Sequence, residues 1–241
     1  MLTFLLVMLH HITAITEKIK ENYDFYVNTL GMSFVKKTVN FDDPTTYHLY
    51  YGDSKASPGS LITFFYYPGK GKRGKGFAEG IILEVPKKIY DKLGDVVFDP
   101  DGLTLKLRPG KDYKTVGVIT PASKEFLEKW GIGSDNEYVN REQVGFMGAG
   151  LIHHVAHSTE NDSTQLKVRE DLISSGVNVS PVMERIYFRS IYFHESNGCL
   201  QEIATYGPGF FVDEEKLGSK LVLPPWYEEH REEIERRLPD L

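Results

Sequence analysis

Two histidine pairs, far apart along the chain, are the residues most able to do chemistry. His10 and His11 lie in the stretch Leu-His-His-Ile-Thr, and His153 and His154 lie in Ile-His-His-Val-Ala. Apolar and β-branched neighbours are typical of a buried strand, where an imidazole needs either a hydrogen-bond partner or a metal ion. The recurrence of this uncommon pattern indicates that the chain contains two copies of one unit.

The remainder of each copy can be aligned with the other. The matched segments are residues 47–51 with 189–193 and residues 59–63 with 198–202. The alignment places Thr63 of the first copy at the position of Glu202 in the second. Because successive side chains of a strand point to opposite faces, only one histidine of each pair can face an interior that the copies share. One histidine of each pair, together with Glu202, is therefore predicted to bind a single metal ion.

Two imidazoles and one carboxylate form a ligand set that leaves coordination positions open, as in the non-haem Fe(II) sites that activate O₂. A closed structural zinc site uses four ligands, generally including thiolates. The single cysteine, Cys199, is assigned to core packing, so a closed zinc site is not expected. The open positions would accept oxygen atoms of a substrate and of dioxygen.

The composition argues against several classes of protein. The 241 residues are 41% hydrophobic and carry a formal net charge of −6, which is unfavourable for nucleic-acid binding. The one basic run, residues 70–75, is interrupted by glycines and is predicted to be a solvated loop. A single cysteine fits a reducing compartment, and the apolar residues 2–9 are too few to span a membrane. We therefore predict a cytoplasmic protein with no nucleic-acid and no membrane partner.

Periodicity and turn residues predict a β-α-β-β-β module at each end of the chain. In the first module the predicted strands are residues 6–14, 33–39, 47–51 and 60–67, and the helix is residues 17–30. In the last module the predicted strands are residues 151–158, 177–182, 188–194 and 199–205, and the helix is residues 163–175. Both modules place the histidine pair on the first strand and the Thr63 or Glu202 position on the fourth.

The middle of the chain resembles two shortened copies of the same module. Predicted elements there are strands at 80–85 and 115–120, helices at 87–93 and 122–130, a hairpin around 99–102, and short strands within 138–146. A further helix is predicted after the last module, at residues 226–238. The predicted fold class is α+β, with paired modules whose mixed sheets curl around a metal site and whose inner modules are truncated. The predicted N-terminal half, 1–108, holds module 6–67 and a reduced module 77–108. The C-terminal half, 109–241, holds a reduced module 113–148, module 150–206 and a helical tail.

Seven segments of the chain match the sequence pattern of a known family: residues 10–13, 35–42, 47–53, 152–154, 187–193, 201–205 and 207–210. Together they resemble the vicinal oxygen chelate superfamily, which includes glyoxalases, bleomycin resistance proteins and extradiol dioxygenases. Within it they are similar to the ring-cleaving dioxygenases that act on hydroquinones. The resemblance implies that the metal ligands are His11, His154 and Glu202. It also implies Fe(II), with Mn(II) as an alternative, a hydroquinone- or catechol-like substrate, and insertion of both atoms of O₂.

The resemblance further implies five residues around the substrate. Thr13 would bind the substrate, and His10 or His153 would act as a general base, since the histidine pKa is close to neutral. Arg185, which always carries its charge, would stabilise anionic oxygen. Tyr192 would hold or relay the phenolic proton, since a phenol both donates and accepts.

Some features leave alternatives open. The segment between Arg108 and Gly150 is shorter than is usual in the family, which affects the pocket walls. A glyoxalase-like isomerase or lyase with Zn(II) or Ni(II) is one alternative, although it would want a second carboxylate where Thr63 stands. A metal-free protein that sequesters an aromatic compound is another. Two further histidines, His48 and His157, are predicted to be structural, and the oligomeric state, a homodimer included, is left open.

Overall fold

The structure is a computed structural model that describes residues 8–132 and 135–241. Residues 6 and 7 of the predicted first strand lie outside these ranges. Within the described residues, no helix is both long enough and apolar enough to cross a membrane.

The first module has the predicted β-α-β-β-β order. Its elements are β1 (Leu9–Thr16), α1 (Ile19–Asp24) with a π-helical continuation (Phe25–Thr29), β2 (Ser33–Asn40), β3 (Asp43–Gly52) and β4 (Leu61–Tyr66). The predicted single helix ends in a wider turn, because Leu30 N–H donates to Phe25 O at 2.9 Å. Gly31, with φ of 77°, then ends the helix. The turn predicted at Asp42-Asp43-Pro44 is shorter than expected, because Asp43 already forms a β-ladder pair with Asn40.

The inner modules are truncated as predicted. The elements of the inner modules are β5 (Gly80–Pro86), α2 (Lys87–Leu93), β6 (Val96–Phe98), β7 (Thr104–Gly110), β8 (Lys114–Thr120), α3 (Lys124–Lys129) and β9 (Glu137–Tyr138). They form one five-stranded sheet in the order β6-β7-β5-β8-β9.

The last module repeats the first. Its elements are β10 (Ile152–Thr159), α4 (Asp162–Ser174), β11 (Met183–Glu184), β12 (Arg189–His194) and β13 (Leu200–Thr205), followed by 3₁₀ turns (Phe210–Val212 and Pro225–His230) and α5 (Arg231–Arg237). The strand predicted over residues 177–182 is wrong. Only Val179 forms a bridge there, to Phe193, and Pro181 has no N–H with which to continue a ladder, so the edge strand begins at Met183.

One eight-stranded sheet joins the first and last modules, in the order β11-β12-β13-β10-β1-β4-β3-β2. The antiparallel pair β1–β10 lies at its centre. The registers agree with the alignment of the two copies, because Thr13 pairs with Thr63 across β1 and β4, and Ala156 pairs with Glu202 across β10 and β13. The predicted fold class is confirmed, whereas the division of the chain into halves at residue 108 stays a prediction.

The segment after β13 crosses from the last module to the first and is anchored by a buried charge cluster. Lys36 of β2 is fully buried, and its Nζ donates to Asp213 Oδ1 at 2.5 Å and to Glu214 Oε2 at 2.6 Å. The ring of Tyr187 lies 5.0 Å from the same Nζ, and its hydroxyl donates to Asp213. We call Lys36, Asp213 and Glu214 the tail clasp. It holds the first and last modules together on the side of the tail.

Candidate metal centre and substrate cavity

Three buried side chains from neighbouring strands converge on one point. His11 projects from β1, His154 from β10 and Glu202 from β13, and these strands are adjacent in the sheet. The two Nε2 atoms are 3.2 Å apart. Glu202 Oε2 lies 2.9 Å from His154 Nε2 and 3.4 Å from His11 Nε2. The three predicted ligands are therefore brought together by three strands of one sheet.

The donor atoms fit a divalent transition metal. Bonds of about 2.1 Å place two ligand atoms about 3.0 Å apart at a right angle and about 3.4 Å apart at a tetrahedral angle, and the three observed separations lie near these values. Glu202 Oε2 is buried and its close neighbours are the Nε2 atoms of His154 and His11, so a cation held among the three atoms would neutralise the buried carboxylate. Within residues 8–132 and 135–241, this is the one group of three or more metal-binding side chains that converges closely.

The second histidine of each pair supports its neighbour. His10 Nδ1 lies 2.9 Å from His11 Nδ1, and His153 Nδ1 lies 2.8 Å from His154 Nδ1. Burial, and then the adjacent ring, lowers the pKa of both His10 and His153 to about 3, so both are neutral at pH 7. A ligand imidazole that directs its Nε2 lone pair to a metal carries its proton on Nδ1. Each ligand histidine therefore donates to Nδ1 of its partner, which leaves the partner with an Nε2–H.

The two supporting histidines differ in what that Nε2–H can reach. The His10 ring hydrogen-bonds to the backbone of Thr205 and lines a separate cavity of about 240 Å³ beneath the tail. His153 lines the cavity beside the metal centre, where its ring contacts Phe65 at a centroid distance of 5.3 Å. Although the two histidines are equivalent in sequence, only His153 has access to this cavity.

The cavity beside the metal centre has a volume of about 340 Å³. Its walls combine aromatic and aliphatic side chains with a polar rim. The lining residues are His11, Asn40, Phe41, Asp42, His48, Tyr50, Phe65, His153, His154, Arg185, Phe188, Tyr192 and Leu200. Flat apolar walls with a few polar groups at the edges suit a small aromatic ligand.

Arg185 spans the mouth of the cavity and joins the two modules. Its guanidinium donates to both carboxylate oxygens of Asp42, at 2.9 and 3.2 Å, and Asp42 lies in the turn between β2 and β3. Its Nε donates to the Tyr192 hydroxyl at 3.1 Å. The next residue, Ile186, adopts φ of 64°, which is rare for a β-branched side chain and often marks a functional constraint.

A chain of hydrogen bonds leads from Arg185 to the metal centre. Tyr192 hydrogen-bonds to Ser190, and the Ser190 hydroxyl donates to Glu202 Oε1. A guanidinium can only donate and a carboxylate can only accept, so the chain runs from Arg185 through Tyr192 and Ser190 to Glu202. The bond from Ser190 holds one carboxylate oxygen and directs the other to the metal.

We expect the Ser190→Ala substitution to lower the affinity for a divalent metal by about 10- to 100-fold, because residues that orient a ligand have effects of this size. Anaerobic titration with Fe(II) or Mn(II) measures the affinity. Ser158→Ala is the matched control, since Ser158 is also a buried strand serine but donates to the backbone carbonyl of Met8. Equal affinities in all three proteins would contradict the role given to Ser190.

The first module contains an equivalent chain of hydrogen bonds, but this chain ends at threonine hydroxyls instead of a metal ligand. Thr13 Oγ1 lies 2.7 Å from Thr63 Oγ1, Thr63 Oγ1 lies 2.8 Å from His48 Nε2, and His48 Nδ1 lies 2.9 Å from the Tyr50 hydroxyl. Thr63 stands where Glu202 stands in the last module, so this side offers hydroxyls instead of a carboxylate. Thr13 is fully buried behind Thr63, and its predicted contact with substrate stays a prediction.

Two cavity residues, His48 and Tyr50, were not predicted as site residues, and His48, predicted to be structural, lines the cavity. They occupy the positions of Ser190 and Tyr192 in the other copy. The alignment of the copies contained this signal, because the partner of a site residue is a candidate as well. His157 hydrogen-bonds to Gln201 at 3.0 Å and does not line the cavity, in keeping with a structural role.

Comparison with known proteins places the chain in a family. The sequence pattern of the glyoxalase/bleomycin resistance protein/dioxygenase superfamily matches residues 8–203. A Bacillus subtilis protein named "Putative ring-cleaving dioxygenase MhqO" is 36% identical, and the match covers 95% of each chain. The chlorohydroquinone/hydroquinone 1,2-dioxygenase of Sphingobium indicum is 24% identical, covering 96% of each. A crystal structure titled "putative dioxygenase" from Bacillus subtilis superposes with a TM-score of 0.85 at 34% identity, covering 97% of each chain. The family predicted from the sequence is confirmed, and the chain belongs to the glyoxalase/bleomycin resistance protein/dioxygenase superfamily.

Proposed function

We propose that the protein is an Fe(II)-dependent dioxygenase that opens the ring of a hydroquinone- or catechol-like aromatic compound and inserts both atoms of O₂. The observation that carries the proposal is the convergence of His11, His154 and Glu202 at the wall of an aromatic-lined cavity. The names of the nearly full-length relatives support an oxygenase. A cytoplasmic location stays a prediction, and so does a homodimer.

The ligand set is suited to Fe(II), and Mn(II) is the alternative. When bound, the metal would supply open positions for a substrate oxygen and for dioxygen, and a path for electrons between them. Phe65 and Phe188 lie on the cavity wall where they can contact the faces of the substrate ring. Holding the ring beside the metal centre supplies the proximity on which the reaction depends.

Polar groups around the metal centre can stabilise charge on, or donate hydrogen bonds to, the oxygen atoms of the substrate and of dioxygen. Arg185 supplies a permanent positive charge near an oxygen that loses its proton. Burial, and then the charge of Glu202, raises the pKa of Tyr192, so its hydroxyl keeps its proton. The Nε2–H of His153 is available as a donor toward the cavity. This arrangement favours a donor role for His153 over the general-base role expected from the sequence.

Two observations count against the alternatives. A glyoxalase-like isomerase or lyase with Zn(II) or Ni(II) would want a second carboxylate, but Thr63 holds that position and its hydroxyl is engaged by Thr13 and His48. A metal-free binding protein does not require two imidazole nitrogens and a carboxylate oxygen within 3.4 Å of one another, as found at His11, His154 and Glu202.

The test is oxygen uptake by the protein purified anaerobically and then loaded with Fe(II). We expect stoichiometric oxygen consumption with at least one hydroquinone or catechol of a substrate panel, and mass spectrometry after ¹⁸O₂ exposure should find both labelled atoms in a ring-opened product. Zn(II)-loaded protein is the matched control and should consume no oxygen. Isomerase activity with Zn(II) or Ni(II), and no oxygen uptake with Fe(II), would instead establish the glyoxalase-like alternative.

A further inference from the structure

An ion pair between the first and last modules crosses the mouth of the cavity. Asp42 lies in the turn between β2 and β3, and Arg185 directly follows β11. The guanidinium donates to both carboxylate oxygens in parallel, from Nη1 to Oδ1 at 3.2 Å and from Nη2 to Oδ2 at 2.9 Å. Its Nε donates to the Tyr192 hydroxyl at 3.1 Å. Arg185 is therefore held by one partner from each module.

The stability of the fold does not explain this ion pair. The Asp42 side chain is 62% exposed and the Arg185 side chain 15%, and an ion pair with an exposed partner contributes little to the free energy of folding. The pair does supply geometry, because two parallel hydrogen bonds fix the plane of a guanidinium as well as its position. A role in placing the Arg185 side chain accounts for the contact better than a role in stability.

The backbone around Arg185 does not determine where its long side chain lies. Arg185 stands in a tight turn, where its N–H donates to Phe188 O at 3.0 Å and its carbonyl accepts from Tyr187 N–H at 2.6 Å. An arginine side chain has several rotatable bonds and much rotamer freedom to lose. Tyr192 restrains it through one hydrogen bond, about which the guanidinium could still turn. The two bonds to Asp42 remove that freedom.

The turn that carries Asp42 is itself held in place. Asp42 N–H donates to Asn40 Oδ1 at 3.0 Å, and Asn40 Nδ2 donates to the Tyr67 hydroxyl at 3.1 Å. The Tyr227 hydroxyl of the tail donates to Phe41 O at 3.0 Å. The turn is thus anchored both by the first module and by the tail, so Asp42 can serve as a fixed support for the guanidinium.

The position of the guanidinium matters because its charge acts on other groups of the cavity. Burial is the largest cause of the raised pKa values of Tyr50 and Tyr192, and the charge of Arg185 opposes the rise in both. Burial is also the largest cause of the lowered pKa of His48, to which Arg185 adds. A displaced guanidinium would therefore change the electrostatic potential at a ligand oxygen, since the interaction falls with distance.

We propose that Asp42 is a positioning residue, which fixes the Arg185 guanidinium at the edge of the cavity so that its charge stabilises an anionic oxygen of the ligand. The proposal rests on the ring-cleaving function proposed above. It makes a prediction of definite sign. If Asp42 only neutralised Arg185, its removal would strengthen the binding of anions. If Asp42 positions Arg185, its removal weakens the binding of anions.

The test measures how the cavity binds the two protonation states of a coloured phenol. 4-Nitrophenol is titrated into the Fe(II)-loaded protein without oxygen, and its absorbance reports each state with no turnover. We expect Asp42→Asn to bind the ionised form about 10-fold more weakly than the wild type and the neutral form equally well, because a nearby opposite charge changes an ionisation constant by about that factor or more. Asp42→Glu, which keeps a carboxylate, should restore most of the affinity.

A neighbouring residue of the same turn provides the matched control. The carboxylate of Asp43 accepts hydrogen bonds from the backbone and hydroxyl of Thr45. Asp43→Asn therefore changes the charge of the turn without changing the contact with Arg185, and it should bind both forms of 4-nitrophenol as the wild type does.

A double-substitution cycle tests whether Asp42 acts through Arg185. In the Arg185→Lys background, which lacks the forked donor, Asp42→Asn should cause no further loss, because effects of coupled residues do not add. Unchanged or tighter binding of the ionised form in Asp42→Asn, or additive losses in the double variant, would overturn the role of Asp42 and leave the dioxygenase proposal intact. A wild type that binds 4-nitrophenol as expected but consumes no oxygen with any substrate would overturn the dioxygenase proposal alone. Failure of the wild type to bind 4-nitrophenol would overturn both.

Discussion

Replacing Glu202 by glutamine is expected to abolish metal binding and oxygen uptake while leaving the fold intact. The substitution keeps the shape of the side chain and the acceptor for Ser190 but removes the charge that faces His11 and His154. Changes in residues that merely orient a ligand cost about 10- to 100-fold, so loss of the charged ligand itself should lower kcat/KM by more than about 100-fold. Bound iron should fall from one per chain to a trace.

Thermal unfolding under anaerobic conditions provides a readout that does not depend on turnover. A metal that binds only the folded state stabilises it according to its concentration and affinity, so Fe(II) should raise the Tm of the wild type and not that of Glu202→Gln. Glu170→Gln, which changes an exposed glutamate of α4, is the matched control and should behave as the wild type. A normal metal-induced rise in Tm for Glu202→Gln would refute the assigned ligand set.

The second large effect is expected at the tail clasp. Lys36→Met would leave Asp213 and Glu214 without the cation that lies within 2.6 Å of both. Removing one partner of a buried ion pair typically costs about 3–5 kcal/mol, and we expect the free energy of unfolding in urea to fall by about that amount. The activity should fall as well, because the tail carries Phe210, whose ring lies 5.2 Å from that of Tyr50.

A triple variant distinguishes the destabilising effect of unpaired buried charges from that of lost packing around Lys36. Lys36→Met combined with Asp213→Asn and Glu214→Gln removes all three charges, keeps the oxygen acceptors, and should regain most of the lost stability. Lys37→Met changes the neighbouring, partly exposed lysine and should have little effect. If the single Lys36 variant is as stable as the wild type, the tail clasp does not hold the modules together.

The metal centre could be predicted from the sequence because the chain carries its own internal comparison. The two copies of a histidine pair indicate equivalent strands, and Thr63 against Glu202 indicates a position where only one copy offers a metal-binding carboxylate. The registers of β4 and β13 agree with that alignment. Alternation along a strand then accounts for one ligand and one supporting histidine in each pair.

Other features depend on contacts between segments that are distant in sequence, and no local pattern indicates them. The basic run at residues 70–75 was predicted to be a solvated loop, but its backbone pairs with residues 143–149, as in the bond from Lys72 N–H to Phe146 O at 2.9 Å. The burial of Lys36 could not be expected either, since a lysine in a strand is ordinarily exposed and its partners are almost 180 residues away. The pairing of Arg185 with Asp42 across the cavity mouth is of the same kind.

The central pairing of β1 with β10 has a consequence for how the protein matures. His11 and His154 are 143 positions apart in the sequence, so the strand that carries His11 is synthesised long before the strand that carries His154. The inner sheet draws only on contiguous modules and can close earlier. Since distant pairings form slowly, we expect the site formed by His11, His154 and Glu202 to be the last part of the molecule to assemble after release from the ribosome.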